Sequence, residues 1–379
     1  MRIGFYAPLK PPDHPAPSGD RRIARLFMAA LRGMGHDVIL LSDLRSHNRD
    51  GDAAHEAATA AAGAAEVTRL LAAWRDNPAN RPDLLFTYHV YHKAADYLAP
   101  ALKAETGLPY VIAEASIAPK RKDGPWATGY AQAARAFEMA DALLAITALD
   151  RVCLSTFAGA GKVTLFPPFL ETGLFMTSAT QRSDHRRMLA ERFTLPVDRP
   201  WLLAVGMMRS GDKLASFRRL AETLPLVADR RWQMLVVGDG PERAAVESAF
   251  APLGDRTSFL GQLEPDRLPA LYAASDLYIW PAVNEAYGMA LLEAQTAGLP
   301  ILSVRTRGVP DIVRHGESGW LAADDQPSSL ADGLRMLLDD PALLRKLADG
   351  APRNVATNHA MPAAQMRLGA IFQRLGLPS

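Results

Sequence analysis

At 379 residues the chain is long enough for two domains, and 49% hydrophobic residues supply two cores. A net charge of +1 argues against a nucleic-acid binder, and the single cysteine, Cys153, excludes an intrachain disulfide and a thiolate metal cluster. No apolar run approaches the ~20 residues that cross a bilayer, so the expectation is a cytoplasmic protein, at most peripheral at the inner face of the membrane.

In chain order, residues 1–8 are too short for a signal peptide and read as a first strand over 2–7. Ile23, Leu26, Phe27, Leu31 and Met34 recur at helical spacing over 21–35, ended by Gly35. A strand follows over 37–41, then an alanine-rich helix over 52–74. Short apolar strands over 83–89, 109–115, 142–147 and 163–167 alternate with helical patterns. The double proline at Pro167-Pro168 breaks this order and predicts the domain junction. A second alternation places strands at 201–206, 232–238, 257–261, 276–281 and 300–304, and a helix closes the chain over 362–375. Repeated βα alternation predicts parallel, doubly wound sheets, whose ligands sit beyond the carboxyl ends of the strands.

The most informative stretch runs from Asn284 to Pro300, where Glu285 and Glu293 stand eight residues apart. The first acid lies on a loop after a strand, and the second lies a little over two turns deeper on the same side. Between them, Tyr287, Gly288, Met289 and Ala290 sit at a helix start, whose partnerless N–H groups and positive dipole favour an anion. An anion cradle with two acids at different depths suits a sugar nucleotide. Arg209 and Lys213, four apart after the strand 201–206, are two cations that can reach a diphosphate, or two solvated charges. The segment Gly238-Asp239-Gly240-Pro241 reads as a strand-to-helix turn with Pro241 at the first helical position.

The Glu285/Glu293 spacing resembles the E-x7-E signature of retaining glycosyltransferases of family four, which have the GT-B fold: two Rossmann-like domains facing across a cleft. The resemblance covers nearly the whole chain and is strongest over 201–322. It implies an acceptor domain over 1–170, joined by the crossing tail helix over 360–379, and a nucleotide-sugar donor domain over 171–359. Arg209 and Lys213 would contact the diphosphate, although the arginine lies two residues later than in the family pattern. Glu285 would hold the transferred sugar, Glu293 the ribose, and the N–H groups at Tyr287–Ala290 the phosphate. Phe259-Leu260-Gly261 would border the nucleobase. In the first domain, the loop Pro17-Ser18-Gly19 stands where the family has a glycine-rich loop; Gly19 matches and Ser18 replaces the other glycine. His89, at a strand end, is a catalytic candidate or a structural histidine. Glu114, the other catalytic candidate, stands where family members carry a histidine that contacts the donor sugar; it would take that place by accepting from a hydroxyl, or would position the acceptor, and this departure leaves the sugar open.

Lys120-Arg121-Lys122 is a short basic cluster, either solvated or meeting a phosphorylated or lipid-linked acceptor. Arg21, Arg22, Arg25 and Arg32 give the first helix a basic side, an electrostatic contact for anionic lipid. Asp50-Gly51-Asp52 spells a metal-binding D-x-D but lies in a connector, and Gly159-Ala160-Gly161-Lys162 precedes a strand instead of a helix. The expectation is a metal-independent retaining glycosyltransferase without a cofactor. It would use a nucleotide-diphosphate sugar and a hydroxyl acceptor such as a polysaccharide, a lipid-linked glycan or a small molecule. A sugar-nucleotide epimerase and a non-catalytic sugar-nucleotide or glycan binder are the alternatives.

Overall fold

The computed structural model describes residues 1–16 and 18–378, so Pro17 of the first loop and Ser379 of the tail lie outside the described residues. The chain divides into two compact units, one of Met1–Pro167 with Ala364–Ser379 and one of Pro168–Ala363.

Unit 1 is built on six parallel strands: β1 (Arg2–Tyr6), β2 (Asp37–Ser42), β3 (Leu84–Val90), β4 (Tyr110–Ala115), β5 (Ala142–Ala145) and β6 (Val163–Leu165). Their order is β2-β1-β3-β4-β5-β6. Strands β3 to β5 are almost continuously buried, which explains their unbroken apolar runs: helices cover both faces of a parallel sheet, so neither face is free to be polar. The helix Gly19–Gly33 starts two residues earlier than its apolar spacing suggests, because Ser18 caps it by accepting from the Arg21 N–H at 3.2 Å. Asp52 is likewise a cap of the helix Ala53–Asp76, accepting from the N–H groups of Ala54 and His55, which accounts for the D-x-D spelling. The closing helix Met361–Arg374 joins unit 1 through Gln365, which donates to the Ala30 carbonyl, and Arg374, which donates to the Thr164 hydroxyl.

Unit 2 repeats the plan with β7 (Trp201–Val205), β8 (Gln233–Val237), β9 (Thr257–Gly261), β10 (Leu277–Ile279), β11 (Ile301–Val304) and β12 (Gly319–Ala322). Its order is β12-β11-β10-β7-β8-β9, with every pair parallel. The strand order reverses between β1 and β3 in unit 1 and between β7 and β10 in unit 2. Loops leaving such a pair diverge to opposite faces and open a crevice at the carboxyl edge of the sheet.

Candidate functional site

In unit 2 the reversal point gathers the predicted donor residues. Arg209 lies on the loop after β7, while Lys213 falls in the first turn of the helix Asp212–Thr223 and not on the loop itself. Glu285 lies on the loop after β10. Arg209, Lys213 and Glu285 line one hollow of about 510 Å³ with Ser210, Gly211, Asp212, Val283, Asn284 and Ala286. Lys213 Nζ stands 2.5 Å from Glu285 Oε2, and both side chains are mostly shielded, 21% and 16% exposed. Trp280 completes the group: its indole N–H donates to the same Glu285 oxygen at 3.3 Å, and Lys213 Nζ sits 5.3 Å from its ring centroid. Asn284 donates to Asp212 at 3.0 Å and fixes the rim. Arg209 is exposed.

The helix expected from Tyr287 begins two residues later, at Met289, and runs to Thr296. Gly288 is its cap with φ 76°, a left-handed conformation that glycine adopts without strain, so Tyr287 lies in the turn before it. Glu293 is 5% exposed and accepts from the Tyr272 hydroxyl at 3.0 Å, so a tyrosine 21 residues earlier meets the polar requirement of this buried acid.

Gly238 and Gly240 set the height of the arginine loop. A Cβ on Gly238 would fall 1.9 Å from the Gly206 carbonyl oxygen, and one on Gly240 would fall 2.3 Å from that of Met208. The two loops are tied by Met208 N–H to Asp239 O and Glu242 N–H to Met208 O, each 2.9 Å. Pro241 is not the first helical residue as its sequence suggests; the helix starts at Arg243, because Gly240 is committed to this contact. Gly261, at the end of β9, accepts from the Gly238 N–H at 2.9 Å.

In unit 1 the reversal point gathers His89, Glu114 and Asp20. Gly19 opens the helix whose second residue, Asp20, accepts from or pairs with His89 Nδ1 at 3.1 Å. Glu114 Oε1 stands 3.7 Å from the same nitrogen, and its other oxygen accepts from the Tyr88 hydroxyl at 2.8 Å. His89 and Glu114 end adjacent strands, and both leave the β region, with φ 63° and 55°. Non-glycine residues pay strain for that conformation, and such strain clusters at functional sites. Burial opposes a charge on His89, but the Glu114 and Asp20 carboxylates outweigh it and raise its pKa above the ordinary imidazole value. Burial raises the Glu114 pKa despite His89 and Tyr88, while at Asp20 the hydrogen bond and charge of His89 overcome burial and lower it. Tyr91 stacks on His89 with ring centroids 5.0 Å apart.

Asp20, Tyr88, Tyr272 and Trp280 are members of these groups that sequence reasoning passed over. The usable signal was topological: the loop after the first strand of a doubly wound sheet faces the end of the strand across the reversal. Of the other flagged residues, Arg21 and Arg25 donate to the Pro12 carbonyl, Arg32 donates to the Val38 carbonyl, and Lys162 donates to the Glu138 carbonyl. Among the described residues no helix is long and apolar enough to cross a membrane.

Residues 199–340 match the family described as Glycosyl transferases group 1. A D-inositol 3-phosphate glycosyltransferase from Acidothermus cellulolyticus is 31% identical over 236 residues, 56% of this chain and 51% of that protein. The chain spans about half the length of the curated relatives it matches. Over 99% of its length it superposes on sucrose-phosphate synthase from Thermosynechococcus elongatus, with a TM-score of 0.73 at 19% identity and 99% of that chain covered. It also superposes on Anabaena HepE in complex with UDP, with a TM-score of 0.74 at 16% identity, covering 99% of this chain and 100% of that one. Residues 199–340, all in unit 2, thus match the glycosyl transferases group 1 family, and the two parallel-sheet α/β units have the GT-B fold of these structural neighbours.

Proposed function

We propose that this protein is a retaining glycosyltransferase that moves a sugar from a nucleotide-diphosphate sugar to a hydroxyl acceptor. The observation that carries the reading is the Lys213–Glu285–Trp280 group beside Arg209 in one hollow at the reversal point of unit 2. The cations supply charge where a leaving diphosphate develops it, with the start of the helix Met289–Thr296 as a further donor set. These groups do the work of a metal ion, so no metal is required. Glu285 then accepts from hydroxyls of the transferred sugar, and Glu293, oriented by Tyr272, accepts from the ribose.

With no separate carboxylate nucleophile assigned, the acceptor attacks from the face the diphosphate leaves, and the leaving phosphate takes the acceptor proton. Unit 1 supplies the acceptor side, where His89 and Glu114 position the attacking hydroxyl. That a structural neighbour holds UDP agrees with this donor class. The acceptor class extends to lipid-linked and polysaccharide glycans, with peripheral membrane contact through the basic side of helix Gly19–Gly33.

The test is a thermal-shift series with UDP, GDP, ADP and their sugars, with and without Mg²⁺, run on the wild type and on Glu285→Ala. One base should stabilise both proteins equally with or without the metal, while sugar transfer is lost in the variant. Normal transfer by Glu285→Ala would remove the site assignment, and turnover of the sugar nucleotide alone would favour an epimerase.

A further inference from the structure

Unit 2 has a second hollow, of about 260 Å³, away from the donor residues. It is lined by the helix Pro341–Asn358 and by the loop that leads into β12, so it lies at the amino edge of the sheet, whereas the donor hollow lies at the carboxyl edge. The helix turns one face to it, with Lys346, Gly350, Arg353, Asn354 and Thr357 at helical spacing. The loop adds Arg314 and Glu317.

The floor is a fixed frame. A Cβ on Gly350 would overlap the Glu317 carbonyl oxygen, so only glycine lets the helix meet the loop this closely. Asn354, 7% exposed, donates to the Gln295 side chain and to the Ile312 carbonyl, each at 2.9 Å, and accepts from Asn358 at 3.1 Å. Buried Gln295 donates to the same Ile312 carbonyl at 3.0 Å, and the buried Ser318 hydroxyl accepts from the Arg314 N–H at 3.0 Å. Satisfied buried polar networks of this kind are rigid.

The charges above that floor are not balanced. Glu317 stands 3.9 Å from Arg314, and its side chain is 68% exposed. Among the described residues Lys346 and Arg353 have neither a carboxylate nor another hydrogen-bond acceptor. Asp349, on the same helix, lines a neighbouring hollow that Arg353 also borders, and pairs with neither cation. The Thr357 hydroxyl is uncommitted too, whereas Thr59, Thr106, Thr223 and Thr296 donate to the carbonyl four residues back.

We infer that this hollow is a second anion site and that its ligand is a small phosphate monoester. Three cations against one acid leave an excess of two positive charges, and such an ester carries about −1.5 to −2 near neutral pH. The guanidinium forks and the ammonium donate to its oxygens, and the Thr357 hydroxyl adds a neutral donor. The volume is several times the ~30 Å³ share of one water, which leaves room for a phosphate with a short carbon chain. It is below the ~300 Å³ at which pockets for drug-sized ligands begin, so a nucleotide does not fit. The site is independent of the transferase reading.

The experiment is calorimetric titration of the whole protein with glycerol 3-phosphate and with neutral glycerol, at low and at physiological salt. Glycerol 3-phosphate should bind, glycerol should not, and salt should weaken the binding. Lys346→Gln with Arg353→Gln should lower the affinity by about tenfold or more. Both side chains are exposed, so thermal melts should show the fold intact. Lys120→Gln with Lys122→Gln removes the same charge elsewhere and should leave the affinity unchanged. Undiminished binding after the first pair of substitutions would move the ester to another site, such as the donor hollow, and overturn the inference. An equal loss in the control pair would reduce the effect to net charge and overturn it as well. So would no binding of glycerol 3-phosphate, including the case in which the protein pellets only with phosphatidic acid vesicles.

Discussion

At each reversal point a shielded cation is met by a carboxylate. Lys213 and Glu285 neutralise each other with Trp280 alongside, so each group is satisfied by the other. Removing one partner leaves the other uncompensated at a position mostly shielded from solvent, which costs more than the pair contributes. Lys213→Met should therefore lower stability by about 1–3 kcal/mol and sugar transfer by roughly 10²–10³. Adding Glu285→Gln should restore most of the stability and none of the transfer. Thermal melts and transfer rates on the single and double variants check both halves, and a double variant as unstable as the single one would contradict the coupling. In unit 1 the sign of the pH effect follows from the shifts. His89 and Glu114 both have pKa values raised by folding, so the native state holds protons that the unfolded chain has released. Their contribution is complete at low pH. It is lost as pH rises, from about 4.5 upward through Glu114 and from about 6.5 upward through His89. Asp20 acts oppositely, its contribution disappearing only as pH falls below the ordinary carboxylate range. The double variant His89→Gln with Glu114→Gln removes the two raised groups, so the stability of the wild type relative to it should decline as pH rises above the ordinary imidazole value. Chemical denaturation across that range measures the difference, and a flat or rising difference would show that these groups are not held protonated by the fold.

At the scale of elements, eleven of the twelve strands among the described residues were legible, because parallel strands buried on both faces are continuous apolar runs; β12, four residues long and opened by Gly319, was not expected. Helix starts were less legible. Ser18 and Asp52 extend or anchor helices by capping, and Gly240 delays one by its contact with Met208. The acid pair at Glu285 and Glu293 could be read from spacing, since both sit on one local segment. Their partners could not: Lys213 is 72 residues from Glu285, and Tyr272 approaches Glu293 from another helix. The left-handed backbone at His89 and Glu114 has no signature in residue type, because neither histidine nor glutamate demands it. The glycine contacts were likewise visible as glycines but not as a clamp on the arginine loop. Gly240→Ala places a Cβ where Met208 O now sits, at a φ of 151° that L residues rarely adopt. It should cost about 1–3 kcal/mol of stability and displace Arg209 and Lys213, weakening nucleotide binding. Ala at Gly35, where φ is also positive but no atom lies within 4 Å of the new Cβ, is the control. It should lose stability through backbone strain without changing nucleotide affinity, and a matching affinity loss there would refute the clamp.

For the whole molecule, the same architectural position is used twice. In unit 1 the loop after β1 brings Asp20 to the end of β3, and in unit 2 the loop after β7 brings Arg209 and Lys213 to the loop after β10. The charge pattern differs: the hollow of unit 2 sets Arg209 and Lys213 beside Asp212 and Glu285, while unit 1 surrounds one imidazole with the carboxylates of Asp20 and Glu114. The chain's path makes the two units unequal in how they can be cut. Unit 2 is one continuous segment, whereas unit 1 is completed by the tail. Leu368, Ile371 and Phe372 of the closing helix are at most 2% exposed, and Phe372 packs on His36 at 5.7 Å. Ending the chain after Ala363 strips these groups from unit 1 while leaving every strand of unit 2 in place. Losing three large buried side chains costs several times ~1.5–3 kcal/mol in apolar burial alone, comparable to the stability of a whole domain. The truncated protein should therefore melt in two separated steps, the lower belonging to unit 1. The nucleotide that stabilises the full chain should raise only the upper step, because Arg209, Lys213, Glu285 and Glu293 all remain in an intact unit. Calorimetry with and without that nucleotide distinguishes the outcomes. A single cooperative melt at the original temperature would mean the tail is dispensable to unit 1, and loss of the nucleotide-dependent shift would mean that the donor site cannot stand on unit 2 alone.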